Sequence, residues 1–417
     1  MRQRIIFHID VNSAYLSWEA AYRLQHGDPI DLRQIPSVIG GDPTTRHGIV
    51  LAKSLPAKKL KVQTGETLHS ALSKCPELAI AKPNYLLYRQ CSRSLGEILS
   101  DYSPLIQQFS VDEYFLDFSR MEKLFNDPVG TACQMKDRIK NELGFTVNIG
   151  ISSNKLLSKM ASEFEKPDKV HTLFPQEIAS KMWPLPIEEL FMVGRATTHK
   201  LRSHGIQTIG DLAHCDVRLL LPGLKSFGQL VWNYANGIEG SPVRPGGSID
   251  VKGMGNSTTL AFDVEDRKTA HLVLLSLVET VSARLRQDHY QSCLIAISFR
   301  TQEFLSYSHQ RKIAHPTDCT QEIWEIACQL FDELWQGQPL RHMGVRVSDL
   351  SQDDFVQLAL FGKDYAKLRK LDQAVDLIRS RFGSQAIIRS SYLHSGLKAM
   401  TGGVIEEEEY PMMSSML

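Results

Sequence analysis

The chain offers no framework of cysteines. Seven are scattered through its 417 residues (Cys75, Cys91, Cys133, Cys215, Cys293, Cys319 and Cys328), and no two stand in Cys-x-x-Cys spacing. A zinc site and a disulfide scaffold are therefore not expected, and the usage fits a reducing compartment. Long apolar runs are missing too. No stretch approaches the roughly 18 residues that cross a bilayer, so no membrane partner is expected. The N-terminal MRQRIIFHIDVN holds no apolar run long enough for a signal peptide, and a cytoplasmic location is the expectation. Nor is there an excess of one charge: Lys+Arg and Asp+Glu both number 47, a formal net charge of zero. That excludes a uniformly basic nucleic-acid coat protein but leaves room for local basic patches. What is present, 42% hydrophobic and 23% charged residues, is ordinary for a folded protein and excludes a disordered chain. The length suggests two to four domains.

Arg4–Asp10 reads as a buried strand, an apolar run (Ile5, Ile6, Phe7, Ile9) ending in an acid. Ser13–Leu24 reads as a helix. Residues 36–52 suggest two short strands around turns at Gly40-Gly41 and Gly48, before a Lys-rich segment, Lys53–Lys61. Phe109–Phe118 alternates and is rich in β-formers, which predicts a strand pair or hairpin. Phe145–Ser152 predicts another strand, and Asn154–Phe164 a helix that Lys166-Pro167 stops. Strands interleaved with helices predict an α/β or α+β unit. From Pro175 to about Gly240 the pattern becomes short helices broken by glycine, and Pro242–Gly255 has linker composition. Asn256–Leu350 then repeats itself. Two helices carry apolar residues at matching offsets of 4, 7 and 11 (Leu274, Val278, Val281, Leu285; Ile323, Ala327, Leu330, Leu334), with strands around them. This predicts β-α-β-β-α-β, a four-stranded sheet covered on one face. Tyr365–Phe382 reads as one more helix, before an acidic, Met-rich tail.

Asp10 closes one apolar strand and Asp112-Glu113 sits inside another. Carboxylates on buried strands cost several kcal/mol unless paired or bound to a cation. Three of them together also raise one another's pKa. A divalent metal resolves both problems, and Mg²⁺ favours carboxylates combined with substrate phosphates. The reaction class is then two-metal phosphoryl transfer. Spacing alone leaves open a plainer arrangement, a strand-end Asp and an Asp-Glu turn facing water.

Four ordered segments carry a resemblance: HIDVNSAYLSWE (8–19), LAKSLPAKKLKVQTGE (51–66), FSVDEYFLDFS (109–119) and GISSNKLLSKMASEFEKPDK (150–169). Together they resemble the Y-family DNA polymerases, most of all the DinB or polymerase IV branch of translesion enzymes, in order over residues 1 to about 390. The resemblance implies an α+β multidomain right hand: palm at 1–10 and 75–166, small fingers at 11–74, and a helical thumb at 167–241. A linker at 242–255 would lead to a β-α-β-β-α-β little finger at 256–350, and 351–417 would hold a clamp-binding peptide and C-terminal tail. It also implies that Asp10, Asp112 and Glu113 are the catalytic carboxylates, holding two Mg²⁺ ions with help from the Val11 carbonyl. Tyr15, five residues after Asp10, takes the place of the steric gate against the ribose 2′-hydroxyl.

For the triphosphate the resemblance implies Lys58 and Lys159. Lys58 stands where the family usually has Arg, and lysine lacks the bidentate fork, so weaker nucleotide binding is expected. Leu55 stands where the family often has a contacting Tyr, leaving Ser54 or Lys53 as substitute donors. Ile187–Leu212 resembles a helix-hairpin-helix that grips phosphate through backbone N–H groups. Only Gly194 of the usual G-x-G is present, with Arg195 and Lys200 to supply charge. Residues 244–349 hold 11 Lys+Arg and 13 Asp+Glu, a net of −2. DNA contact there needs a one-sided distribution, with Lys252, Arg300, Arg341 and Arg346 as candidates. Gln357, Leu358, Leu360 and Phe361 form Q-L-x-L-F, the sliding-clamp peptide of bacterial polymerases. The implied activity is DNA-directed DNA synthesis across lesions, of low fidelity and without proofreading, since no segment resembles an exonuclease. The implied partners are primer-template DNA, deoxynucleoside triphosphates and the sliding clamp, with the chain itself a monomer. Competing classes are a catalytically silent clamp-tethered adaptor, a nucleotidyl cyclase and the catalytic subunit of the polymerase V complex.

Overall fold

The computed structural model describes residues 4–42, 46, 48–121, 124–125, 127–245, 251–353, 365–397 and 399–400. β1 (Ile6–Val11) is a run of six buried residues. Side chains on a strand alternate between faces. Phe7, Ile9 and Val11 therefore join the largest apolar cluster, while His8 and Asp10 project to the other side. α1 (Ala14–Gln25) lays Ala14 and Trp18 onto that cluster. A three-stranded sheet of order β3-β2-β4 follows, from β2 (Ser37–Gly40), β3 (Val50–Lys53) and, after α2 (Leu55–Lys59) and α3 (Leu68–Lys74), β4 (Ala79–Ala81). This sheet reaches Ala81, because Ser37–Ile39 pair in parallel with Ala79–Ala81.

α4 (Tyr85–Ser100) returns to the first core. Then come β5 (Ile106–Gln108), β6 (Glu113–Asp117), α5 (Pro128–Leu143), β7 (Val147–Ser152), α6 (Lys155–Ser162) and β8 (Val170–Thr172). The sheet order is β5-β6-β1-β7-β8, with β1 antiparallel to both neighbours. β8 extends this sheet past the expected limit at 166 by pairing with β7. The hairpin is also displaced from its expected bounds. Ile106–Gln108 pair with Tyr114–Leu116, and residues 109–112 make the connection. α4 and α5 cover one face of the sheet, and α6 covers the other.

α7 (Arg195–Ser203), α8 (Ile209–His214), α9 (Leu221–Leu224) and α10 (Ser226–Ala235) surround a separate core of Leu201, Ile209, Leu212 and Val231. Leu156 and Leu157 of α6 enter the same core, so this helical unit and the five-stranded sheet share a helix. The last unit is β9 (Gly253–Val264), α11 (Arg267–Gln287), β10 (Tyr290–Thr301), β11 (Ser306–Thr317), α12 (Thr320–Leu334) and β12 (Leu340–Gln352). This is the expected β-α-β-β-α-β, in sheet order β11-β10-β12-β9. Leu274, Val278, Val281 and Leu285 meet Ile323, Ala327 and Leu330 above Ile295, Ile297 and Phe299. α13 (Tyr365–Phe382) has the bounds expected from periodicity and packs on α11 and α12. Among the described residues no helix is long and apolar enough to cross a membrane.

Candidate active site

The register of β1 against β6 pairs Asp10 with Glu113. Directly opposed residues on one sheet face have Cβ atoms about 5 Å apart. The two carboxylates are joined by Glu163, which caps the C-terminus of α6; one oxygen of each lies within 4.8 Å of the others. Three acids this close must be neutralised. Lys166 donates to Asp10 and, at 2.9 Å, to Glu163, and Lys159 donates to Glu113. Burial pushes Asp10 up from its ordinary 3.8 to about 7, against the pull of Lys166. Burial raises Glu113 as well, with Lys159 opposing. Burial alone would lower Lys166, but the carboxylates of Asp10 and Glu163 raise it well above the usual ammonium range.

The lysines are placed by backbone contacts beneath them. Gly150 on β7 faces α6, and a Cβ there would lie 1.9 Å from the Ser158 carbonyl oxygen. The helix can therefore ride directly on the strand. Asn154 caps α6 by accepting the Leu157 N–H, and its amide donates to Gly237 O at 2.9 Å. The turn after the helix is held by two buried amides. Asn148 donates to Ser162 O and Glu165 O, and Asn12 Oδ1 accepts the Asp168 N–H at 3.0 Å. Sequence reasoning singles out Lys159 but not Glu163 or Lys166. The available signal was their offset of 4 and 7 from Lys159, the spacing of one helix face.

Asp112 stands beside this triad rather than within it. Ser110 Oγ donates to its Oδ1 at 2.5 Å, and the Val11 N–H donates to its carbonyl at 3.1 Å. Tyr15, the second residue of α1, stacks on Tyr88 with ring centroids 4.4 Å apart and meets Tyr85 edge-on. On α2, Lys58 is exposed. Lys53 is half-buried, and burial together with the nearby Lys58 charge lowers its pKa. Ser54 corrects an expectation. It is 2% exposed, and its hydroxyl donates to Ile35 O while accepting from Ser37 N and Ala57 N. It is the N-cap of α2 and has no capacity left for a phosphate.

Gly194 is the N-cap of α7, with Arg195 exposed after it; Lys200 Nζ donates to Gly223 O at 3.2 Å. Lys252, Arg300 and Arg346 are exposed. The register defines four rows across the open face of the last sheet: Ser306–Arg300–His342–Thr259, Ser308–Ser298–Gly344–Ser257, Gln310–Ala296–Arg346–Gly255 and Lys312–Leu294–Ser348–Gly253. None of these sixteen positions is acidic. The acids of this unit include Glu279, Asp318, Glu322, Asp332 and Glu333, all on or beside α11 and α12. Gln357, Leu358, Leu360 and Phe361 lie outside the described residues.

Comparison with known proteins gives a consistent picture. Residues 9–163 match the impB/mucB/samB family, and residues 251–360 match its C-terminal domain. The chain is 44% identical over 391 residues to DNA polymerase IV of Clostridium acetobutylicum, covering 94% of this chain and 98% of that protein. It is 37% identical over 400 residues to DNA polymerase IV 2 of Bacillus subtilis (strain 168), covering 94% and 95%. Among solved structures, the Y-family DNA polymerase chimera Dbh-Dpo4(243-245)-Dbh aligns with a TM-score of 0.70 at 20% identity, covering 83% of this chain and 98% of that one.

Proposed function

The chain belongs to the impB/mucB/samB family of Y-family DNA polymerases, DinB type, and from that premise we propose that it copies damaged templates by two-metal nucleotidyl transfer at the Asp10–Glu113 pair. It is a DNA-directed DNA polymerase. The observation that carries the proposed mechanism is an all-oxygen cluster of a buried, a half-buried and an exposed carboxylate (Asp10, Glu113 and Glu163) paired with Lys159 and Lys166. A hard divalent cation fits that donor set. Bound there by Asp10, Asp112, Glu113 and the Val11 carbonyl, a pair of Mg²⁺ ions would lower the pKa of the primer 3′-hydroxyl and take up phosphate charge. With a metal held by the carboxylates, Lys159 and Lys166 would be available as cations for the triphosphate, as would Lys58 on the fingers side. Tyr15, braced by Tyr88, excludes the ribose 2′-hydroxyl.

In this reading palm, fingers and thumb occupy the five-stranded sheet, the three-stranded sheet and the helical unit. The thumb holds backbone phosphates at Gly194 and Arg195, with Lys200 nearby. The little finger lays its open sheet face on the duplex through Arg300, Arg346 and the preceding Lys252. The segment Gln357–Phe361 recruits the chain to a sliding clamp, and synthesis proceeds without proofreading. Primer extension by the purified chain tests the centre of this reading. Asp112→Ala and Glu113→Ala are expected to abolish Mg²⁺-dependent extension while each variant melts as the parent does. Parental extension rates from either variant would overturn the assignment.

A further inference from the structure

Bulky residues avoid the left-handed backbone region, and large aromatic rings are ordinarily buried for the most part. Phe304 departs from both habits. It sits in the turn between β10 and β11 with a φ of +65°, and 62% of its surface is exposed. The turn itself is closed by backbone bonds. Thr301 N–H donates to Leu305 O at 2.9 Å, and Phe304 N–H donates to Thr301 O at 3.0 Å. Leu305, the next residue, is 52% exposed. The Arg341 guanidinium stands over the Phe304 ring, 5.1 Å from its centroid. A strained backbone thus presents an aromatic ring to water with a cation beside it, and such outliers collect where a ligand is met.

Strand register places this ring. Thr301 pairs with Leu340, and Leu340 with Val264, so the β10–β11 turn, the start of β12 and the end of β9 share one end of the sheet. That end meets the fingers of the proposed reading. Arg46, between β2 and β3, pairs with Asp263 of β9 at 2.6 Å. Arg46, with a smaller share from Arg341, holds the Asp263 carboxyl below its ordinary range. The row Ser306–Arg300–His342–Thr259 is the last of the open face before this end. A copied template is paired behind the primer terminus and unpaired ahead of it. With the duplex on the open face and the fingers over the new base pair, the unpaired strand runs where fingers and sheet end meet. Sites for single strands combine cations along the backbone with aromatic rings on which bases stack. Arg300, Arg341 and Phe304 supply both. Glu303 is the one acid of the turn at 302–305, and Asp263 is already matched by Arg46.

We propose that Phe304, flanked by Arg341, is a stacking platform for the unpaired template strand ahead of the primer terminus, an inference that rests on the polymerase reading. Every base offers a π-face, so the platform holds the strand without reading its sequence. Anisotropy titrations of the intact chain with two labelled primer-templates test this, one ending flush and one carrying a short unpaired template extension. The ratio of the two affinities is read within each protein. The extension should tighten binding by the parent about fivefold or more. Phe304→Gly removes the ring and suits the left-handed backbone, so the turn is kept, and its ratio should fall towards one. Phe304→Trp should keep the parental ratio. An extension of abasic units, which retains the phosphates and lacks the bases, should give the parent the low ratio of Phe304→Gly. Equal ratios in the parent and Phe304→Gly would overturn the proposal and leave the polymerase reading standing. A parent that binds neither primer-template would overturn that reading, and the platform with it.

Discussion

Lys166 is one cation shared between Asp10 and Glu163, and in the proposed mechanism its place is the one a metal would take. Removing one partner of a partly buried pair costs about 1–3 kcal/mol because the other charge stays desolvated. Lys166→Met should therefore lower the melting temperature of the metal-free protein. It should also tighten Mn²⁺ binding measured without nucleotide, from the free-ion resonance signal, because no ammonium has to be displaced. Weaker Mn²⁺ binding would show that the lysine supports the metal site instead of competing for it. Asp10 adds a dependence on pH. Its folded pKa, about 7, lies above its ordinary 3.8 because burial disfavours the charged form. The folded state then holds more protons than the unfolded one between those values. Its contribution to stability is complete below about pH 4 and is lost as pH rises through about 7. Metal-free melting temperatures should fall across that window, and Asp10→Asn should flatten the fall; equal slopes in the two proteins would remove the assignment. Mg²⁺ needs the ionised form, so its stabilising effect should grow over the same range.

Gly150 decides where α6 sits, and α6 decides where Lys159, Glu163 and Lys166 sit. A methyl group there would meet the Ser158 carbonyl at 1.9 Å and the Ser162 nitrogen at 2.5 Å. Both are backbone atoms, so the whole helix must retreat. Gly150→Ala should cost about 1–3 kcal/mol or more and should lower extension activity per folded molecule as the lysines leave the carboxylates. An unchanged melting curve would contradict this packing. Elements of this kind were largely legible. The repeat of Leu274, Val278, Val281 and Leu285 by Ile323, Ala327, Leu330 and Leu334 revealed two helices, because one-sided burial imposes their period. What escaped was pairing between distant segments. Ala79–Ala81 and Val170–Thr172 are three-residue strands whose place depends on β2 and β7, and three residues carry no period of their own. Ser54 escaped for a related reason: beside lysines it reads as a phosphate donor, and only the Ile35 and Ser37 backbone reveals it as a buried cap.

The whole molecule carries no net charge, yet a duplex must be held by cations. The sequence showed only that residues 244–349 are slightly acidic; strand register is what sorts the charges. Arg300, Arg346 and Lys312 share sheet rows that hold no acid, with Asp349 of β12 reaching Lys312 at 2.6 Å, and Glu279, Asp318, Glu322, Asp332 and Glu333 lie with α11 and α12 behind the sheet. The Asp10–Glu113 pairing is the same kind of fact. The two acids were identifiable from their motifs, but their contact came from the β1–β6 register, which also left Asp112 to Ser110. If the separated faces matter, binding should follow the position of a charge and not the total. Each phosphate contact contributes about 0.7–0.9 to the slope of log affinity against log salt. Arg300→Glu with Arg346→Glu should therefore weaken primer-template binding and flatten that slope by about 1.4–1.8. Lys268→Glu alters charge on α11, the covered side, and should leave the slope unchanged. Fluorescence titrations over a range of salt separate the two cases. An equal loss from the Lys268 variant, counted per charge reversed, would mean that overall charge governs binding and that the open sheet face has no special part in it.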